Sequence, residues 1–157
     1  MNTDSTLTRK DKKFRSTNVL IVEDNDDHWN LIRTALAQAL PGVDCVRAAT
    51  TEQAMTYLDG CTEPGRLLPR LILMDLYVPN REDGWALLRR IKTSASAFRQ
   101  VPVIVLSYSS DTDDIADSYL YGSTSYVTKP TDAPAWKTYI EALRTYWWET
   151  VTLPSDR

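Results

Sequence analysis

Residues 71–92 read LILMDLYVPNREDGWALLRRIK, and three kinds of sequence follow one another along them. Leu71 to Leu76 form an apolar run of strand length, interrupted by one carboxylate, Asp75. Val78 to Gly84 then carry Pro, Asn and Gly, the residues of a turn. From Gly84 to Lys92 the spacing predicts a helix that buries Leu87, Leu88 and Ile91. A strand apolar on both faces and then an amphipathic helix is half of a βαβ unit, in which the sheet lies between helical layers.

The same alternation extends in both directions. Upstream, NVLIVE (18–23) predicts a first buried strand, and DDHWNLIRTALAQAL (26–40) a helix with Trp29, Ile32, Leu36 and Leu40 on one face. Pro41-Gly42 stops it. VDCVRAA (43–49) is a second strand, and Thr50 or Thr51 caps a helix that turns Ala54, Met55 and Leu58 inward and ends at Gly60. Downstream, VPVIVLSY (101–108) predicts a fourth strand and DTDDIADSYLYG (111–122) a helix closed by Gly122. TSYVTK (124–129) predicts a fifth strand, ended by Pro130. APAWKTYIEALRTYWWE (133–149) predicts a last, extended helix with Trp136, Tyr139, Ile140 and Leu143 as its stripe. Five strands alternating with five helices predict a doubly wound parallel α/β sheet.

The 157 residues suit one domain, and 43% hydrophobic with 25% charged residues is ordinary for a globular chain. No apolar run approaches the roughly 20 residues that span a bilayer, and the basic N-terminus lacks the apolar stretch of a secretory signal. Cys45 and Cys61 have no metal-ligand or disulfide spacing, so a cytoplasmic, reduced chain is expected. Net charge is −3, yet the first 18 residues carry five basic against two acidic groups. A flexible basic tail over 1–17 is therefore expected ahead of an acidic body at 18–149, with a short tail at 150–157. An acidic body argues against a nucleic-acid partner.

Ligands of open α/β sheets bind beyond the carboxyl ends of the strands. Here those ends carry Glu23-Asp24, Asp75, Ser107 and Lys129. Clustered carboxylates repel and call for a cation, and an oxygen-rich site suits Mg²⁺. Asp75 lies between the acidic pair and the other two ends, where a carboxylate nucleophile could take a phosphoryl group. Lys129 would pair with phosphoryl oxygens, and Ser107 would donate a hydrogen bond to one. Singly, each of these residues is more ordinarily a cap or a turn former; their joint occurrence at four strand ends is what points to a site.

In order and spacing, VLIVEDN, LILMDLYVP, PVIVLSY and YVTKP resemble the signature segments of bacterial two-component response regulator receiver domains, over about residues 18–147. The resemblance implies a flavodoxin-like sheet in the order 2-1-3-4-5 and a stand-alone, chemotaxis-regulator-like protein. It implies Asp75 as phosphoacceptor and Asp24 as direct metal ligand, with Glu23 reaching the metal through water and Tyr77 offering its backbone carbonyl. It further implies Ser107 and Tyr126 as a switch pair, Lys129 as the invariant lysine, and a cis Lys129–Pro130 bond. Its partners would be a sensor histidine kinase or histidine phosphotransfer protein, and a downstream protein target. Phosphorylation would draw Ser107 toward the phosphate and turn Tyr126 inward. The turn before Gly84 is one residue longer than the common pattern, and Tyr77 and Tyr108 are bulkier than usual. These two rings are expected to narrow the approach of water.

His28, the only histidine, is expected to be a solvated helical residue. Tyr146, Trp147 and Trp148 cannot all share the stripe of the last helix, so at least one should be exposed. Such a residue would offer a homodimer contact in the C-terminal aromatic region, unless the tail packs back on the domain. Three other readings stay open: an unphosphorylated interaction module, a flavodoxin-like flavin carrier, and a dehalogenase-type phosphatase. The acidic EDNDD loop would repel a flavin phosphate, and Asp75 lacks a second carboxylate two residues on.

Overall fold

In the computed structural model, which describes residues 17–93 and 95–154, each α-helix begins where a short polar side chain accepts from the backbone ahead of it. Asn25 accepts from His28 N–H, Thr50 from Gln53, Asn80 from Asp83, Asp111 from Asp113 and Asp114, and Asp132 from Ala135. Between these caps lie β1 (Asn18–Val22), α1 (Asp26–Ala39), β2 (Asp44–Ala48), α2 (Thr51–Cys61) and β3 (Leu71–Asp75). There follow α3 (Arg81–Lys92), β4 (Val103–Ser107), α4 (Thr112–Leu120), β5 (Ser125–Thr128) and α5 (Ala133–Arg144). A π-helical turn, Thr145–Thr150, continues α5. The strands are parallel in the order β2-β1-β3-β4-β5, as expected.

Alternation along the strands builds two cores. Leu20, Val22, Ile72, Met74, Val103 and Val105 face one way, onto α2 and α3. Val19, Ile21, Leu71, Leu73, Ile104 and Leu106 face the other, onto α1 and α5. Among the described residues, no helix is long and apolar enough to cross a membrane.

Three expectations need correction. Helix α3 starts at Arg81, not Gly84, because the Asn80 side chain caps Asp83 N–H at 3.0 Å; the expected turn VPNREDG is mostly helix. Gly84 lies inside α3, where a Cβ would collide with the Leu76 carbonyl oxygen, so the glycine serves close helix–strand packing. The Lys129–Pro130 bond is trans, and the cis bond is Val78–Pro79. X–Pro bonds favour trans by only about 0.5–1 kcal/mol, so the surroundings rather than the residue pair choose the isomer.

The third correction concerns the last helix, which is α-helical only to Arg144. In the wider π turn successive side chains diverge less, and Trp147 and Trp148 both enter the core while Tyr146 stays exposed. Trp148 Nε1 donates to Thr17 Oγ1 at 3.1 Å, and the buried Arg70 Nε donates to the Trp147 carbonyl at 2.8 Å. Val151 and Leu153 pack on the same core, so the described part of the tail folds back. The basic stretch expected to be flexible, up to residue 16, lies outside the described residues, as do 155–157.

Candidate functional site

The chain reverses its direction of growth across the sheet between β1 and β3, and it is beyond the strand ends at such a switch point that open α/β sheets bind their ligands. Val22 is level with Met74, so Glu23 and Asp75 emerge side by side. Asp75 is level with Leu106, and Ser107 with Thr128, so Ser107 and Lys129 follow on the next two strands. Register alone therefore brings residues from four strands to one rim.

At its centre is the Lys129 ammonium, 2.8 Å from Glu23 Oε2, 2.9 Å from Asp75 Oδ2 and 3.0 Å from His28 Nδ1. Glu23 and Lys129 are both buried. Burial alone would lower the Lys129 pKa, but the Asp75 and Glu23 carboxylates outweigh it and raise it, keeping the ammonium charged. Burial pushes the Glu23 carboxyl up against the pull of Lys129. Glu23 Oε1 also accepts from Asn25 N–H at 3.1 Å, and Asp75 Oδ1 from Tyr77 N–H at 3.1 Å. The Tyr108 ring covers the ammonium at 5.4 Å, and its hydroxyl is 3.3 Å from His28 Nε2.

A second polar cluster adjoins the first. Asp114 on α4 is 2% exposed and accepts from Arg81 Nη1 at 2.6 Å, Ser109 Oγ at 2.7 Å and Tyr77 Oη at 3.2 Å. Burial would raise its carboxyl, but Ser109, Arg81 and Tyr77 together hold it below its ordinary value. Ser109 links this cluster to the proposed switch pair. Its N–H donates to the buried Ser107 Oγ at 3.1 Å, and its carbonyl accepts from Tyr126 Oη at 2.6 Å.

Of the residues singled out by sequence, Glu23, Asp75 and Lys129 meet directly, and Ser107 and Tyr126 meet through Ser109. Asp24 is exposed at the mouth of β1 and stands outside the group of ligand atoms from Glu23, His28 and Asp75 that lie within 4.8 Å of one another. Carboxylate oxygens such as those of Glu23 and Asp75 are the donors a hard divalent cation takes, and Asp24 follows Glu23 directly along the chain, so the donor chemistry fits such an ion. Sequence reasoning missed the part played by His28. Its signal was present: it is three residues after a cap at the end of β1, in the helical turn nearest the rim. It also missed Asp114, because Asp111, Asp113 and Asp114 are alike by composition and only packing selects one.

The chain matches the family model described as response regulator receiver domain over residues 19–141. A protein described as "probable methanogenesis regulatory protein FilR2" from Methanothrix harundinacea is 35% identical over 131 residues, 82% of each chain. Response regulator Rcp1 of Synechocystis is 30% identical over 138 residues, 87% of this chain and 92% of Rcp1; its Mn²⁺-bound crystal structure superposes with a TM-score of 0.75 at 29% identity, covering 88% and 99% of the two chains. The phosphorylated cyanobacterial phytochrome response regulator RcpA gives a TM-score of 0.78 at 33% identity, covering 88% of this chain and 98% of RcpA. With a strand order, a rim of acid and ammonium, and relatives that agree over nearly its whole length, the chain belongs to the response regulator receiver domain family of two-component systems.

Proposed function

We propose that this chain is a stand-alone response regulator that accepts a phosphoryl group on Asp75 from a sensor histidine kinase or histidine phosphotransfer protein and then signals by binding a protein target. The observation that carries this is the Lys129 ammonium, charged and buried, 2.9 Å from the Asp75 carboxylate. An Asp75 oxygen attacks phosphorus, the O–P bond forms as the donor's N–P bond breaks, and the electron pair leaves on the donor imidazole. Lys129 offsets charge on the transferring oxygens, and Ser107 turns its hydroxyl toward them. Because Ser109 joins Ser107 to Tyr126 and Asp114, a shift of Ser107 disturbs the hold on α4, which is how a target would sense the phosphate.

Mg²⁺, held by Asp24, Asp75, the Tyr77 carbonyl and, through water, Glu23, would supply charge neutralisation on the phosphoryl oxygens. The Mn²⁺-bound state of Rcp1 and the phosphorylated state of RcpA support this reading by likeness. A cytoplasmic location and the absence of a nucleic-acid partner belong to the same proposal. A homodimer through the C-terminal aromatics would have to rest on Tyr146, since Trp147 and Trp148 are buried in their own domain.

Incubation with phosphoramidate and Mg²⁺ should add one phosphoryl mass to the wild type and none to Asp75→Ala, and EDTA should abolish the gain. A mass gain that persists in Asp75→Ala would overturn the assignment. Tyr108, lying over Lys129, should slow attack by water, so the phosphorylated Tyr108→Ala variant should lose its phosphate several-fold faster. An unchanged lifetime would remove Tyr108 from the mechanism.

A further inference from the structure

The Lys129 ammonium has three N–H donors and no acceptor. Two of them meet carboxylates, Glu23 and Asp75; the third meets Nδ1 of His28 at 3.0 Å. Since an ammonium only donates, Nδ1 is the accepting nitrogen and the ring proton sits on Nε2, directed at Tyr108 Oη 3.3 Å away. The ring is held on both sides. His28 N–H is bonded to the Asn25 cap, and the Tyr108 ring meets the imidazole edge-on with centroids 5.4 Å apart. His28 Nδ1, Glu23 and Asp75 also have the spacing of a three-ligand metal group, but the one lone pair of Nδ1 is engaged by the ammonium, whereas each carboxylate keeps a second oxygen.

The three acceptors are not equal. Bonds to carboxylates join two charges, whereas the imidazole is a neutral acceptor and forms the weaker bond. While a phosphoryl group approaches and Asp75 is still an anion, the ammonium must free one N–H for the incoming oxygen, and the least costly partner to leave is His28. We propose that His28 is a positioning residue for Lys129: it occupies the third N–H of the ammonium in the resting protein and yields it to the incoming phosphoryl oxygen. This rests on the reading of Asp75 as phosphoacceptor. His28 keeps the ammonium aimed into the pocket, so that the exchange needs a small displacement of Nζ rather than a rotamer search.

With a single histidine in the chain, long-range ¹H–¹⁵N spectra show one imidazole. The wild type should show the Nε2–H tautomer with Nδ1 shifted upfield by its hydrogen bond. Lys129→Met, which keeps the stem and removes the donor, should move Nδ1 downfield toward a free lone pair. Tyr108→Phe should move Nε2 and leave Nδ1 in place. Phosphorylation of the wild type with phosphoramidate and Mg²⁺, verified by mass, should move Nδ1 in the same direction as Lys129→Met. A residue that merely packs α1 would leave Nδ1 unmoved by Lys129→Met, and that result, or an Nδ1–H tautomer in the wild type, overturns the resting bond. An Nδ1 resonance that stays put in the phosphorylated protein overturns the release. If no phosphoryl group is taken up, the proposed function fails and the release step with it, while the Lys129→Met spectrum still decides whether His28 holds the ammonium.

Discussion

Helix α5 turns Trp136, Ile140 and Leu143 onto the sheet, all buried, whereas α4 buries a carboxylate, Asp114, and a hydroxyl, Ser118. No residue of α4 belongs to either apolar core; Leu120 is exposed, Ile115 is half-buried, and the half-exposed Tyr119 accepts from Tyr126 N–H through its hydroxyl. Its attachments are directional: Asp114 to Arg81, Ser109 and Tyr77, and Ser118 to Ser123. Apolar contact is proportional to area and tolerates small slides, while hydrogen bonds are lost over less than an ångström and can be remade with other partners. The molecule thus has a helix welded by packing and a helix held by a few exchangeable polar contacts. The second kind lies next to the rim.

On that contrast, the largest loss comes from the welded side. Trp136→Ala should cost about 3–5 kcal/mol in urea unfolding, through lost transfer energy and a cavity. Trp136→Phe should cost far less, because the indole N–H has no partner among the described residues. Equal losses for the two variants would mean that packing is not what holds α5.

Asp114→Ala comes next, at about 1–3 kcal/mol, since it strands Ser109 and Tyr77 while the half-exposed Arg81 can turn to water. Its effect should be local: amide protection should fall in α4 and persist in α5. The same contrast should appear with acid. The folded-state carboxyl of Asp114 lies below its ordinary value of 3.8, so its contribution is complete above that value and is lost as pH falls through and below it. Protection factors in α4 should therefore drop before those in α5, and Asp114→Asn should remove the difference. Parallel loss in both helices would break the comparison. The smallest effect is expected for Leu120→Ala, within about 0.5 kcal/mol, because that side chain is 75% exposed. A larger cost would show that α4 has apolar anchoring after all.

Much of the fold is legible in the order of residues alone. The apolar runs at 18–22, 71–75 and 103–107 admit little but buried strands, and the cap Thr50 marks a helix start within a residue. Glu23, Asp75, Ser107 and Lys129 are legible as a site because each ends a strand, and parallel strands end on one edge. The onset of α3 escapes such reading because Asn80 serves equally as turn former or cap, and the isomer at Pro79 escapes it because proline pairs differ so little in energy. Helix α4 is legible as a helix, but which of its acids faces inward is not.

Which residues reach the rim follows from their order along the chain, because strand length, alternation and parallel order are local or nearly local properties. That order does not determine what those residues do to one another there. That His28 takes the third hydrogen bond of Lys129, that Asp114 rather than Asp113 is buried, and that the chain after Arg144 widens to bury two tryptophans were decided only by tertiary structure. The reason is geometric. A hydrogen bond between residues 101 positions apart, or a turn that opens to fit a core, depends on distances that no stretch of sequence contains.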